Sequence, residues 1–525
     1  MLCNYRSTGG LVRCLVAGII FTALFAVAYA QSPLYTSNQN QYFLHGLARA
    51  GIGYLERDWL ANTLDPTPVF SGLVEITYRI THLEIIFYFY YALLMGIYLI
   101  SLLGIGINLF ALVNPAQKNL YLLLLAGMLI VIHSAALRFF LSRVLGINWT
   151  YLFEDGVADQ RILGPVLQPS TFGVLLIASI YWYIKHKPYF AIFLAVLAAS
   201  FHPTYLLSAA TLTMLYMLLS WKNDQSLTKT ISLGLLALIL VTPILLYTYT
   251  SFGSTSSEVP AQAREILVNY RIPHHAQVDQ WLDSTVVVKL MFVLAALYLS
   301  RHSGNLFAIL LGSTLVASLL TVIQIVLGSD IFALLFPWRL SIYIVPLSTT
   351  IILAAITTLI TSIPLLSVPN RIKFIKILNA AAIVMVVMVG TIRFKLDIER
   401  QENDPQRSLF SYVYTHKQAG ELYLTPIKMQ DFRLASGAPV FVDFKSIPYK
   451  DTDVLEWYRR VQLTDNLYKN FDCDQLKDMV SNNQITHVVI ETSQMNTECG
   501  FLEITYQDQN FTLFKIIHAT SNLVQ

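Results

Sequence analysis

Long apolar stretches recur along the whole chain and constrain its fold more than any other feature. A stretch of about 17 to 25 mainly apolar residues can cross a bilayer as a helix. We identify such stretches at residues 11–30, 83–112, 119–136, 163–184, 189–202, 204–220, 230–250, 285–300, 305–328, 340–363 and 376–394. The sequence therefore predicts an all-α polytopic membrane domain with about eleven transmembrane helices.

Composition agrees with this prediction and excludes one class of partner. Hydrophobic residues make up 55% of the chain and charged residues only 13%, whereas soluble proteins contain roughly a quarter charged residues. The net charge of +3 is small. Lys and Arg lie scattered in short loops and form no single basic face, so we exclude nucleic-acid binding.

Two of the apolar stretches leave alternatives open. The fifth is short and meets the sixth at Phe201-His202-Pro203, so the pair is either two spans or one broken or re-entrant element. The first ends in Ala28-Tyr29-Ala30, which resembles the small-residue cleavage site of a signal peptide. Its apolar run is long for a signal peptide, so we favour a retained span and leave cleavage of residues 1–30 open.

Lys and Arg in short loops indicate the orientation, because such loops are basic on the cytoplasmic side. Basic residues fall in every second connection, at Arg6, Arg13, Lys118, Lys185, Lys187, Lys222, Lys229, Arg301, Arg371, Lys373 and Lys376. We therefore expect a multi-pass protein of the plasma (inner) membrane with a cytoplasmic N-terminus. An odd number of spans then puts the C-terminal region outside the cytoplasm.

The chain changes character near Lys395, where charged and polar residues increase. We predict a transmembrane domain at 1–394, with a long first external loop at 31–82, and a small soluble extracytoplasmic α/β domain at 395–525. Its predicted strands are 421–425, 439–444, 486–492, 501–506 and 511–516, and its predicted helices are 453–461 and 474–480. Cys473 and Cys499 lie in this domain, where an oxidising compartment permits a disulfide; the sequence leaves their separation open.

The first external loop contains the acidic segment YLERDWLANTLDPTPVFSGL, residues 54–73. A helix start is predicted at Asp65, which precedes a proline. Asp58 has no comparable structural role evident from its neighbours, although a salt bridge with Arg57 or Arg79 stays open. A carboxylate just outside the membrane is suited to act as a general base on a lipid-linked substrate.

This arrangement resembles the GT-C superfamily of integral-membrane glycosyltransferases. Those enzymes have many spans, a long first external loop bearing catalytic acids and often a soluble external C-terminal domain. They take sugar from a polyprenyl phosphate or diphosphate carrier. The resemblance covers the whole architecture and, at residue level, the segment ERDW, in which Asp58 matches the first-loop acid. The segment departs from the adjacent acid pairs of the family, because Arg57 separates Glu56 from Asp58. The resemblance therefore makes both acids catalytic candidates and leaves open which of them, if either, is catalytic.

Other segments are similar to signatures of an uncharacterised group of bacterial polytopic membrane proteins, a likeness that carries no chemistry. They are DWLANTLDPTPVFS, RILGPVLQPSTFG, SFHPTY, RIPHH, FPWRLS and FVDFKSIPYKDTDVLEWYRR. The sequence contains no Gly-rich phosphate loop, HExxH, Cys-x-x-Cys or serine-elbow motif.

Transfer from such a donor requires positive charge for the departing phosphate. Our substrate-binding candidates are external-end cations and three histidines, namely Arg339, Lys289, Arg161, Arg138, His202, His274 and His275. Arg339 is the first choice because it enters a span from outside; the alternative is a snorkelling interfacial arginine. Lys289 lies about one turn inside a span, where a cation requires a partner or a function. Each histidine alone is also compatible with a satisfied polar residue.

The segment FEDGVADQRILGP, residues 153–165, supplies a second group of acids near the mouth of the fourth span. Glu154, Asp155 and Asp159, together with Asp58, are candidates to hold a divalent metal such as Mg or Mn against the donor phosphate. The spacing matches no defined metal loop, so a solvated turn is the alternative.

We therefore expect a membrane glycosyltransferase that moves a sugar from a polyprenyl-phosphate-linked donor to a saccharide, lipid or protein acceptor on the extracytoplasmic side. A transporter or flippase of a lipid-linked or envelope saccharide is the main alternative, favoured by the break at Pro203 and by Lys289. A non-catalytic scaffold of an envelope-polysaccharide assembly also stays open.

Overall fold

The computed structural model of the chain describes residues 8–109, 118–256, 258–362, 369–494 and 499–517. Its helices are α1 Thr8–Tyr29, α2 Gln39–Tyr42, α3 Leu44–Arg49, α4 Pro68–Thr81, α5 Ile85–Leu109, α6 Lys118–Ile132, α7 Ala135–Val144, α8 Val174–Ile184, α9 Pro188–Phe201, α10 Leu206–Asp224, α11 Leu227–Phe252, α12 Val259–Glu265, α13 Pro273–Ala276, α14 Val278–Trp281, α15 Ser284–Ser300, α16 Gly304–Leu327, α17 Asp330–Leu334, α18 Ser341–Ser362, α19 Pro369–Glu402, α20 Arg407–His416, α21 Phe432–Ser436, α22 Asp451–Lys469 and α23 Cys473–Asn483. Its strands are β1 Tyr423–Leu424, β2 His487–Glu491, β3 Leu502–Gln507 and β4 Phe511–Ile516.

Helices occupy each of the predicted apolar stretches. Within the described residues, six are long and apolar enough to cross a membrane, or seven if α6 and α7, which meet at a bend of 51°, count as one span. Shorter apolar helices coincide with the remaining stretches, at α1, α8, α9 and α15. The chain is therefore mainly helical with several candidate membrane spans, and the number eleven stays a prediction.

The predicted break between the fifth and sixth stretches is confirmed. Helix α9 ends at Phe201, His202 has an extended backbone, and Pro203 begins a short 3-10 turn that leads into α10. Proline has no N–H to donate and its ring clashes with a preceding helical turn, so α9 cannot continue through it. The hydroxyl of Tyr205 donates to the carbonyl of Ser170 at 2.6 Å and ties this turn to the segment before α8.

The chain divides into two compact units. The first consists of Met1–Ser32, Ile85–Tyr247 and Leu267–Leu396, and the second of Pro33–Glu84, Thr248–Ile266 and Asp397–Gln525. The sequence assigns the first external loop to the membrane domain, whereas the structure groups it with the C-terminal residues. Three separate segments of the chain thus build the second unit.

In the first unit, α18 is the central helix. Its residues are buried along most of its length, and it packs against α5, α6 and α15. A helix that is hydrophobic on all sides is stable in such an inner position. By contrast, only 11% of the most apolar window of α19 and 17% of that of α11 are buried within the structure, which leaves these two helices available to lipid.

The second unit contains a four-stranded sheet with the order β1-β2-β4-β3. Strand β1 pairs with β2 in parallel, while β4 pairs with β2 and β3 in antiparallel fashion. Apolar side chains of α20 and α21 pack with the sheet in one buried cluster that includes Leu409, Phe432, Val489 and Leu513. Four of the five predicted strands and both predicted helices are confirmed, and Cys473 forms a disulfide with Cys499.

The fifth predicted strand, at 439–444, is wrong. Only Val440 forms an isolated bridge there, with Tyr423. The backbone N–H of Val440 donates to the Asp58 carboxylate at 2.9 Å, and the side chain of Asp443 pairs with Arg433. The segment therefore binds the charged residues Asp58 and Arg433. Because the Val440 N–H is used in this way, the segment does not form the regular hydrogen bonds of a strand.

The predicted helix start at Asp65 is also wrong. Helix α4 begins at Pro68, with Thr67 as the preceding cap residue. One carboxylate oxygen of Asp65 accepts from the Thr67 N–H at 2.9 Å and from the Ser71 hydroxyl at 3.1 Å. The other pairs with Arg49 at 2.7 Å, so Asp65 supports the first turn of the helix from outside it.

Candidate functional site

A tight loop of the first unit, from Tyr151 to Arg161 and called the acid loop below, holds two buried acids. The carbonyl of Tyr151 accepts hydrogen bonds from the N–H of Glu154 at 3.3 Å and of Asp155 at 3.0 Å. The side chain of Glu154 is 3% exposed and that of Asp155 is 4% exposed. The loop is therefore not the solvated turn that the sequence left open.

Contacts with the start of α18 fix the shape of the acid loop. The N–H of Gly156 donates to the Gln160 carbonyl at 2.8 Å, and the N–H of Val157 donates to the Ser341 hydroxyl at 2.7 Å. A Cβ atom at Gly156 would lie 2.2 Å from the Ser341 Oγ. Only glycine permits this close approach, so the loop and α18 form one packed element.

Each acid of the pair lies near one arginine. Arg138, on α7, has its Nη1 at 3.8 Å from the Glu154 Oε1, and the Arg161 Nε lies 2.8 Å from the Asp155 Oδ2. The pairs differ in exposure, because the Arg138 side chain is 10% exposed and that of Arg161 is 36% exposed. Both oxygens of Glu154 are buried without a hydrogen-bond partner, so this carboxyl retains unused bonding capacity.

Lys289 has a partner within the same unit. It lies in α15 with 5% of its surface exposed, and its Nζ donates to the Gly156 carbonyl at 2.9 Å. A buried ammonium in an apolar helix requires such a partner. Lys289 therefore holds the acid loop against α15.

Arg339 lies in the turn Pro337–Leu340 just before α18. Its guanidinium carbon is 5.7 Å from the ring centroids of both Tyr205 and Phe336. Within the described residues it forms no ion pair, and its Nε is buried without a hydrogen-bond partner. Arg339 is thus a cation whose charge no carboxylate neutralises.

His275 forms a hydrogen bond with the backbone of the acid loop. Its Nδ1 lies 2.7 Å from the Ala158 carbonyl oxygen, which can only accept, so Nδ1 carries the hydrogen and Nε2 of the neutral ring is an acceptor. Its ring centroid is 4.1 Å from that of His274. Burial, followed by the influence of His274, lowers the pKa of His275 to about 3, so the ring is neutral near pH 7.

The acid pair titrates near neutral pH. Burial raises the pKa of Glu154 to about 8, against the opposing effect of Arg138. Burial also raises the pKa of Asp155 to about 6, opposed by Arg161 and Lys289. Near pH 7, Asp155 is mainly ionised and Glu154 mainly protonated. An acid and a base therefore stand side by side in the acid loop.

Glu154→Gln is expected to reduce the dependence of stability on pH. The pKa of Glu154 is raised from 4.5 to about 8 in the folded protein, so the folded state binds this proton more tightly than the unfolded state does. The stabilisation is therefore complete at low pH and is lost as pH rises through about 8. Thermal unfolding in detergent should show a midpoint that falls between about pH 5 and about pH 9 in the wild type, and falls less in the variant. Glu258→Gln, at an exposed position, is the control. The expectation would be contradicted if the thermal midpoint of Glu154→Gln fell with pH as much as that of the wild type.

The structure brings most of the predicted residues of the first unit together. Hydrogen bonds and ion pairs of the acid loop connect Arg138, Glu154, Asp155, Arg161, Lys289 and His275. Arg339 is close enough to influence both His202 and His275 electrostatically. Asp58 and Glu56 belong to the second unit.

Asp58 is fully buried in the second unit, with both carboxylate oxygens engaged. Oδ1 accepts from the Leu60 N–H at 2.9 Å, and Oδ2 accepts from the Val440 N–H at 2.9 Å and pairs with the Arg433 Nε at 2.7 Å. Arg433 also pairs with Asp443, and the two acids raise the pKa of its guanidinium. The geometry gives Asp58 a structural task, while its catalytic role stays a prediction.

Asp58 and Glu56 have different surroundings in the second unit. A salt bridge of Asp58 with Arg57 or Arg79 is wrong, because its partner is Arg433. Glu56 is 49% exposed, with its Oε1 at 3.8 Å from the Arg57 Nε. An exposed acid beside an exposed arginine carries no distinctive chemistry.

Sequence reasoning missed three residues of these clusters. Tyr151 is the first residue of the acid loop, and its only signal in the sequence is an aromatic residue close to acids. Arg433 and Asp443 lie in the C-terminal part of the chain, and no local pattern links them to Asp58, which is 375 residues away from Arg433.

A divalent metal does not fit the acid loop as it is built. Three cationic side chains, Arg138, Arg161 and Lys289, already surround Glu154 and Asp155. Among the described residues, no group of three or more His, Cys, Asp and Glu side chains is arranged to hold a metal ion. A dication would add repulsion to these cations, whereas an anion would be attracted. The Mg or Mn site remains a prediction, and no step below uses it.

An apolar groove of about 710 Å³ lies between α10 and α11. It begins at Leu206 and Leu335 and extends along α10 to Trp221. Because a helix rises about 1.5 Å per residue, this path is roughly 22 Å long. Leu206 and Leu335 directly adjoin Tyr205 and Phe336, the two aromatic residues beside Arg339.

Comparisons with known proteins give a match to a family model and similarity to solved structures. The family model described as "Domain of unknown function (DUF6798)" matches residues 405–464, and no curated protein matches. The crystal structure of ArnT from Cupriavidus metallidurans bound to undecaprenyl phosphate is similar over 97% of this chain and 98% of that chain, with 12% identity and a TM-score of 0.46. A similarity of that size carries no argument about function.

Proposed function

We propose that this chain is a membrane glycosyltransferase that moves a sugar from a polyprenyl-phosphate-linked donor to an acceptor on the extracytoplasmic side. One observation carries the proposal. A buried pair of acids, Glu154 and Asp155, lies among cations of the same unit, and burial raises the pKa of both carboxyls. Arg339 lies two residues before Ser341, which contacts the acid loop, and it forms no ion pair within the described residues. This combination supplies a base and a site for an anionic leaving group.

Asp155 is the base in the proposed step. The oxygen of an acceptor hydroxyl attacks the anomeric carbon of the donor sugar, and the bond from that carbon to the phosphate oxygen breaks. The hydroxyl proton passes to the Asp155 carboxylate, and the bonding electron pair leaves with the polyprenyl phosphate. With a pKa raised to about 6, Asp155 is ionised at neutral pH and is more basic than an ordinary carboxylate.

Glu154 orients the acceptor in this proposal. Its carboxyl is mainly protonated near pH 7. Neither oxygen forms a hydrogen bond of normal geometry, although the Tyr29 hydroxyl is near enough to favour the ionised form, so the carboxyl can donate to one acceptor oxygen. A protonated neighbour also spares Asp155 the repulsion of a second negative charge. The two acids thus perform different tasks because their environments differ.

Arg339 binds the phosphate of the donor. Its charge is not neutralised by a carboxylate within the described residues, and a guanidinium forms paired hydrogen bonds with phosphate oxygens. Charge on the phosphate increases as the bond to the sugar breaks, so a fixed cation there stabilises the transition state more than the ground state.

The apolar groove between α10 and α11 accommodates the polyprenyl chain. Its walls are almost entirely hydrocarbon, and its end at Leu206 and Leu335 is next to the aromatic neighbours of Arg339. A lipid phosphate bound at Arg339 would therefore find an apolar path for its tail within the same unit. Apolar burial of the tail supplies binding energy, and the head group supplies specificity.

The sidedness of the proposal rests on two observations. Lys and Arg of the short connections alternate along the chain, which favours a cytoplasmic N-terminus in the plasma membrane. The Cys473–Cys499 disulfide of the second unit requires an oxidising compartment. Both favour an extracytoplasmic position for the C-terminal residues.

Transfer from a labelled pool of polyprenyl-phosphate-linked sugars tests the proposal directly. We expect membranes with the wild-type chain to transfer label, and Arg339→Gln to raise the KM for the donor by about ten- to a hundredfold, since hydrogen bonds to a charged group contribute about 1.5–3 kcal/mol. Arg301→Gln is the control, because Arg301 is exposed and donates only to the Tyr298 carbonyl.

Absence of transfer by the wild type across the common lipid-linked sugars would contradict the proposal. Movement of an intact lipid-linked sugar across vesicles without its cleavage would favour the transporter instead. Loss of activity in Arg301→Gln equal to that in Arg339→Gln would remove Arg339 from the phosphate site.

A further inference from the structure

One aromatic ring contacts both arginines that flank the acid pair. The guanidinium carbon of Arg161 lies 4.4 Å from the ring centroid of Tyr151, and that of Arg138 lies 5.3 Å from it. Both distances are within the range of about 6 Å over which a cation is attracted to the face of an aromatic ring. Arg138 comes from α7 and Arg161 from the acid loop, so the ring joins two elements that are separate in sequence.

The backbone of the same residue holds both acids. The Tyr151 carbonyl accepts from the N–H groups of Glu154 and Asp155 at 3.3 Å and 3.0 Å. Tyr151 thus contacts the backbone of both acids and the side chains of their two cationic partners. Arg138 is also held by Tyr29, whose ring centroid lies 4.0 Å from its guanidinium carbon and whose carbonyl accepts a hydrogen bond from its Nη2.

We propose that Tyr151 is a positioning residue for the transfer reaction, whose ring holds Arg161 against Asp155 and supports Arg138 beside Glu154. This inference rests on the function proposed above. Tyr151 touches no reacting atom in this account and acts through the two arginines.

The physical reason lies in the repulsion between the arginines. Two guanidinium groups that share a small volume repel each other, and the negative face of an aromatic ring offsets that repulsion. Arg161 is 36% exposed, so without the ring its guanidinium is free to turn toward solvent. Asp155 would then lose the cation at 2.8 Å that favours its ionised form.

Other charged and titratable groups also face the acid pair and set the background for any titration. They are Tyr29 of α1, Tyr91 of α5, Asp159 of the acid loop and Lys289 of α15. All four side chains are kept in the Tyr151 variants.

Two substitutions separate the ring from the hydroxyl. Tyr151→Phe keeps the ring and removes a hydroxyl that forms no hydrogen bond to a described residue, whereas Tyr151→Leu removes the ring and keeps the backbone carbonyl. The full-length protein in detergent is treated with a hydrophobic carbodiimide, which reacts with protonated carboxyls. Mass spectrometry of the peptide that contains Glu154 and Asp155 then gives the pH of half-maximal labelling, without any substrate.

We expect Tyr151→Leu to raise the pH of half-maximal labelling of Asp155 by about one unit, and Tyr151→Phe to leave it at the wild-type value. Initial transfer rates should move in parallel, with the rising limb of the pH profile displaced in the Leu variant only. The inference would be overturned if the wild type and both variants had the same pH of half-maximal labelling. It would also be overturned if Tyr151→Phe and Tyr151→Leu shifted this pH equally.

The two readouts separate this inference from the function on which it rests. If no transfer is found but the labelling shift occurs in the Leu variant alone, the positioning of the arginines stands and the proposed reaction fails. If transfer is found without a labelling shift, the reaction stands and Tyr151 has only a packing role. A folding defect is recognised by gel filtration, and only monodisperse protein is labelled.

Discussion

Asp155→Asn is expected to lower sugar transfer by about 100- to 10,000-fold, the range that a positioned general base contributes. The substitution keeps the shape of the side chain and removes the group that accepts the hydroxyl proton. Asp155 is buried beside Arg161, so no water-exposed carboxylate can replace it at the same point. Initial rates at matched expression, with the labelled donor pool, measure the effect.

Two matched variants sharpen this test. Asp159→Asn lies in the same loop but is 62% exposed and 3.8 Å from Arg161, so it should retain most of the rate. Asp58→Asn should lower the unfolding midpoint while the rate per folded molecule stays near that of the wild type, because Asp58 is engaged with Arg433 and Val440. If Asp58→Asn removes transfer without lowering the midpoint and Asp155→Asn does not, the catalytic acid is Asp58, as the sequence predicts.

Arg433→Met is expected to destabilise the second unit by about 3–5 kcal/mol, the usual cost of removing one partner of a buried ion pair. Asp58 is 0% exposed and Asp443 is 2% exposed, so both carboxylates would remain in an apolar environment without a counter-charge. The thermal midpoint in detergent, followed by tryptophan fluorescence, measures the loss.

Conservative and exposed substitutions provide the comparison. Arg433→Lys should recover only part of the stability, because one ammonium cannot reproduce the fork of a guanidinium that reaches two acids. Arg459→Met should change the midpoint little, since Arg459 pairs with Glu456 on the surface, with 48% of its side chain exposed. A midpoint for Arg433→Met as high as that for Arg459→Met would show that the buried triad adds no stability.

Much of the helical framework follows from the sequence because membrane helices depend on local information. Apolar length alone locates α5, α11 and α16, and the missing N–H of Pro203 locates the break before α10. The strands β2 and β4 are similarly visible as short runs of β-branched and aromatic residues. Each of these signals acts within a few residues of the structure that it specifies.

The candidate site is less predictable because it depends on contacts between distant residues. The segment at 439–444 has the alternation of a strand, yet its Val440 N–H is committed to Asp58. Asp58 itself looked free of structural tasks because its partner, Arg433, lies far along the chain. Glu154 and Asp155 were visible as acids, but burial, which raises their pKa values, cannot be read from their neighbours in sequence.

The ion pair between Asp58 and Arg433 also has a consequence for the order of events during synthesis. The two residues are 375 positions apart, and a ribosome adds about 5 to 20 residues per second, so roughly 20 to 75 seconds separate their appearance. Nearly all of the apolar helices are made in that interval. The Asp58 carboxylate therefore stays hydrated during that interval. The second unit can complete its fold only after the C-terminal part of the chain has been synthesised.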